Sequence, residues 1–143
     1  MAKRELDSLV AGGNLKREPP AVSEIEGLIR SAEARLHDAE NETLAIESRF
    51  DLAYNAAHAL SLAALRWHGY RSEKRYIVFQ ALAHTLSLPA RQWRVLNEAH
   101  RKRNTVEYEG VVYVDGQLLE AVLRVTREIA KRLRGLGPVK EIE

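Results

Sequence analysis

The sequence predicts an all-α fold, an up-and-down bundle of four to five helices with a short N-terminal helical extension. Apolar residues recur at helical spacing through most of the chain, and Gly and Pro cut that pattern into helix-length pieces. Only Val111-Val112-Tyr113-Val114 has β-branched and aromatic character, and at that length it reads as an extended connection rather than a sheet.

Each element has its own signal. A short helical piece is expected around Lys3 to Ala11, followed by a loop marked by Gly12-Gly13 and Pro19-Pro20. Ser23, with Glu26 three residues on, is placed to cap a helix running to Asp38 or Ala39. The next helix, from about Leu44 to Trp67, is Ala- and Leu-rich nearly all round its second half, so it should be central, and Gly69 ends it. Ser72, Glu73 and Lys74 should start a third, which carries Ile77, Val78, Phe79, Leu82 and Leu86 before Pro89 closes the segment. A fourth begins near Ala90 and lasts until Glu109-Gly110. Asp115 can cap a fifth, whose stripe of Leu119, Val122, Thr126, Ile129 and Leu133 ends at Gly135. The organisation expected is an extension and loop over 1–22, a bundle over 23–135 and a tail over 136–143.

At 143 residues the chain has room for one core. Its 45% hydrophobic and 29% charged content fits neither a disordered, a collagen-like nor a membrane-embedded chain. The absence of cysteine excludes a disulfide framework, thiolate metal sites, iron–sulfur clusters and a cysteine nucleophile. Phe50 to Trp67 is the longest apolar stretch, but Asp51, Asn55, His58, Ser61 and Arg66 interrupt it on several sides, which predicts a buried core helix and no membrane partner. No basic start precedes an apolar run and a cleavage site, so a cytoplasmic location is expected.

The formal net charge is only +2, yet the charges are segregated. Residues 23–51 carry a net −5 and residues 71–103 a net +6. Two meanings stay open: solvated or mutually attracting helices, or a basic face for a polyanion.

Leu96, Ala99, Arg103 and Val106 are spaced to share one helix face, so Arg103 occupies a slot in an apolar stripe. A guanidinium there needs an acceptor, and Glu107, one turn on, is the nearest candidate, with another carboxylate, several carbonyls or an anionic ligand at an interface as alternatives. No Gly-rich phosphate loop, His-Glu-x-x-His pair, EF-hand loop or nucleophile elbow is present, so no metal or cofactor is expected.

This segment, together with the helix Tyr54-Asn55-Ala56-Ala57-His58-Ala59-Leu60 and its continuation to Gly69-Tyr70-Arg71, resembles the HEPN domains, small helical bundles of prokaryotic toxin–antitoxin and defence systems. The similarity spans residues 44–134, and the stretch from Leu9 to Asp38 looks like the extra helix of one subgroup. Members carry an arginine, a polar residue, commonly Asn, and a histidine after four to six positions. Arg103-Asn104 matches the first part, whereas Tyr108 stands where the histidine would fall and no histidine follows.

The resemblance implies a homodimer whose protomers bring these residues into one cleft that acts on RNA without metal. Arg103 would hold a phosphate, Asn104 would orient it, and Arg101 and Lys102 would add phosphate affinity. A phenol is a poor general base at neutral pH, so Tyr108 suits hydrogen bonding or stacking better than proton transfer. His100 and Glu107 are candidate supporting residues; His58 and His84 lie where the bundle could bring them near, and His37 and His68 look peripheral. The expected function is an RNA- or nucleotide-phosphate-binding module with a degenerate ribonuclease site. The alternatives are a non-catalytic dimeric module pairing with a protein such as a nucleotidyltransferase, and an active metal-independent endoribonuclease.

Overall fold

The computed structural model describes residues 2–109 and 114–139, with side chains described throughout except at Ala2 and 106–109. The helices are α1 (Ala2–Ala11), α2 (Val22–Ala39), α3 (Ile46–Trp67), α4 (Arg75–Gln80), α5 (Leu82–Thr85), α6 (Ala90–Glu109) and α7 (Gly116–Arg134). Small side chains decide which of them is central. Ala53, Ala56, Ala57, Ala63 and Ala64 of α3 are all fully buried, which lets neighbouring helices approach from several sides. α2 and α7 pack most extensively against α3, and α4, α5 and α6 close the remaining side. The fold is thus the expected all-α bundle.

Several local signals act as expected. Asp115 Oδ1 accepts from the Gln117 amide at 2.8 Å and caps α7. Gly69, just past α3, sits at φ 89°, a left-handed conformation that glycine adopts without a Cβ penalty. Other local expectations need correcting. α2 starts one residue before Ser23, with Ala21 as N-cap and no side-chain cap. The third expected helix begins at Arg75, not at Ser72, and is broken into α4 and α5. Ile77, Val78 and Ala81 serve a small second core with Leu6, Leu15 and Tyr70, while Phe79 and Leu82 serve the main one, and a single straight stripe cannot face both. A two-stranded antiparallel ribbon, β1 (Lys16–Arg17) with β2 (Tyr70–Arg71), was not foreseen. Of the extended connection expected over 111–114, residues 111–113 lie outside the described residues.

Arg66 explains how the N-terminal segment is held. It is 1% exposed at the end of α3, among alanines and leucines. Nε donates to Glu24 Oε1 at 2.7 Å, and the terminal nitrogens donate to the carbonyls of Glu18 at 2.8 Å, Pro19 at 2.6 Å and Tyr70 at 3.3 Å. Arg71 bridges the Glu18 and Glu24 carboxylates from the other side. Burial pushes the Glu24 carboxyl up, but the two guanidiniums outweigh it and hold it below the usual carboxylate range. Further along, Arg127 pairs with Glu40 and Arg134 with Glu33, joining α7 to α2. Three acids of that stretch, Glu24, Glu33 and Glu40, are therefore matched to cations of α3, β2 and α7.

Candidate anion site between α3, α4 and α6

Asp51, Tyr54, Asn55 and His58 are spaced i, i+3, i+4 and i+7, so they form one stripe of α3. His100, Arg103 and Asn104 form the facing stripe of α6, and Arg75, the first residue of α4, closes the third side. At the centre is Tyr54, with no exposed surface. Its hydroxyl lies 2.7 Å from His100 Nδ1, and the two rings are nearly parallel at 6.2 Å, while Phe79 meets Tyr54 edge-on at 5.9 Å.

Two guanidiniums converge on this one ring. The Cζ of Arg75 is 5.3 Å and that of Arg103 5.2 Å from the Tyr54 centroid, both within cation–π range. Arg103 Nε also donates to Asp51 Oδ1 at 3.0 Å. Arg75 donates to the neutral Asn55 Oδ1 at 3.3 Å, and no carboxylate pairs with it among the described residues. Asn55 is itself oriented by donating to the Asp51 carbonyl at 2.9 Å.

Burial and the neighbouring arginines disfavour a positive charge on both imidazoles. Burial, then the nearby Arg75, His100 and Arg103, push the pKa of His58 down from 6.5 to about 4. His58 packs edge-on against Phe79 at 6.0 Å. Burial and the same two arginines lower His100 as well. Asn104 Nδ2 lies 3.4 Å from His100 Nε2. With the amide nitrogen donating, Nε2 is the acceptor and the ring proton sits on Nδ1, facing the Tyr54 oxygen. Both ring nitrogens are then engaged, which makes His100 a positioning group rather than a free base.

The structure brings His100, Arg103 and Asn104 together as one face. Arg101 is exposed on the far side of α6, about 200° of helical rotation from Arg103. Lys102 is only partly exposed. The side chains of Glu107 and Tyr108 lie outside the described residues. Among the described residues Asp51 pairs with Arg103, and the expected pairing with Glu107 lies outside them. His58 packs on Phe79, beside the Tyr54 ring that contacts His100 of α6. His68 is half-buried, with Nε2 3.0 Å from the Thr85 carbonyl.

Sequence reasoning missed Arg75 and the roles of Asp51, Tyr54 and Asn55. Their signal was a polar stripe at helical spacing inside an Ala-rich helix, which reads only as interruptions until a partner helix is known. No group of three His, Asp or Glu side chains is arranged to hold a metal ion among the described residues. No helix there is long and apolar enough to cross a membrane. No family model matches the chain, and no curated protein matches it significantly.

Proposed function

We propose that the chain is a HEPN-like RNA-binding module that holds a backbone phosphate on Arg75 and Arg103, with Asn104 beside them and no cleavage of the strand. The observation that carries this is the convergence of two guanidiniums on the buried Tyr54, with Arg75 hydrogen-bonded to the neutral Asn55. A half-buried guanidinium without an anionic partner is an attractive phosphate site, because its planar donor fork matches phosphate oxygens. Among the described residues Arg75 fits that description, while the ring fixes its position in advance. Both nitrogens of His100 being engaged, and a tyrosine at 108, weigh against general-base catalysis.

The test is fluorescence anisotropy with a labelled short RNA at low salt, alongside a gel of the same RNA after incubation. Wild type should bind and leave the RNA intact, and Arg75→Gln or Arg103→Gln should weaken binding. Loss of affinity in neither variant would refute the site, and RNA cut by wild type but not by Arg103→Gln would favour an endoribonuclease.

The Arg103–Asp51 ion pair favours a second reading, in which Arg103 is internally satisfied and the chain is a dimeric adaptor for a partner such as a nucleotidyltransferase. That reading predicts a stable homodimer by light scattering and no RNA affinity.

A further inference from the structure

Tyr76 is one of two large hydrophobic residues that stand out into solvent among the described residues, 48% exposed. It follows Arg75 directly, and its position is set by how α4 divides its few residues. Arg75 and Phe79 point to the α3 and α6 side, and Ile77 and Val78 are buried in the second core. Only Tyr76 and Gln80, one turn apart, are left on the outer face of α4. Tyr76 lies about 100° around the helix from Arg75. It therefore sits on the residue next to Arg75, on the solvent-facing side of the same helical turn.

We infer, resting on the phosphate-binding reading above, that the ligand is single-stranded RNA, and that Tyr76 stacks on a base next to the phosphate held by Arg75 and Arg103. A phosphate on the arginines leaves the adjoining base on the outer side of α4, where an exposed aromatic face is available to it. Base–aromatic stacking is sequence-tolerant because every base has a π-face. In a duplex the bases are paired and stacked on each other, so an exposed tyrosine beside a phosphate clamp selects for unpaired strands.

The experiment compares a labelled single-stranded RNA with a hairpin duplex by anisotropy, using wild type, Tyr76→Ala, Tyr76→Phe and Arg75→Gln. Tyr76 is exposed, so its replacement leaves the fold intact. Wild type should prefer the single strand, and Tyr76→Ala should lose roughly 5- to 150-fold of that affinity, as expected for one stacked base. Tyr76→Phe should retain it, and the salt dependence should be unchanged in Tyr76→Ala but shallower in Arg75→Gln. Equal binding of single strand and duplex, or full affinity in Tyr76→Ala while Arg75→Gln is weakened, overturns the stacking role and leaves the phosphate site standing. Failure of wild type to bind either RNA overturns both.

Discussion

Acid should unfold this protein through a histidine buried next to arginines. His58 lies on α3 facing Arg75 from α4 and His100 and Arg103 from α6, with Asp51 on its own helix paired to Arg103. Its pKa falls from 6.5 to about 4 in the folded chain, so folding favours the neutral ring. The stability this confers is fully present above about pH 6.5, declines as pH falls, and levels off below about pH 4. Linkage over that window amounts to about 3 kcal/mol in all, of which about 2 kcal/mol is lost by about pH 5. His100 titrates in the same direction and adds to the loss. Urea unfolding followed by circular dichroism at about pH 7.5 and about pH 5 measures it. Wild type should lose about 2 kcal/mol or more between the two, and His58→Gln should lose clearly less. Parallel losses in the two proteins would show that the folded state does not disfavour the charged imidazole, and the electrostatic description of the cluster would be wrong.

Arg66→Met should destabilise the fold by about 3 kcal/mol in urea titration, since it strands Glu24 and three buried-side carbonyls facing the former guanidinium. Limited proteolysis of that variant should open first in the segment around Glu18 and Pro19, and wild-type resistance there would contradict the clamp. Tyr54→Phe keeps the ring under both guanidiniums but removes the hydroxyl facing His100, so it should cost about 1 kcal/mol of stability. It should leave RNA affinity within a few-fold of wild type, and loss of binding would assign the hydroxyl a part in the ligand contact.

Signals that act within a few residues are legible in the amino-acid sequence. Asp115 caps by reaching two residues along the chain, and Gly69 supplies a left-handed residue wherever the chain goes next. The end of α3 and the start of α6 follow from such punctuation. Ser23 failed as a cap because α2 gains a turn boundary at Ala21, where the preceding prolines and the Arg66 network place the backbone. The break between α4 and α5 depends on two separate cores pulling on adjacent residues, which no single periodicity records. The site shows the same division. Arg103, His100 and Asn104 lie within two turns and share a face by spacing alone. Tyr54 and His100 are 46 residues apart, and Arg75 reaches them only because α4 packs across α3 and α6. A buried arginine such as Arg66 and an ion pair such as Asp51–Arg103 are likewise tertiary facts, and in the sequence Asp51 and Arg66 read only as flaws in an apolar helix.

The charge on Arg75 is the sharpest point at which the phosphate site stands or falls. Affinity for a short single-stranded RNA, measured across a series of salt concentrations, gives the number of phosphates neutralised from the slope of log K against log salt. Arg75→Gln should make that slope shallower by roughly 0.7, the loss of one phosphate contact on a single strand. An unchanged slope and affinity in Arg75→Gln would mean that the paired guanidiniums over Tyr54 hold the fold together and do not bind RNA.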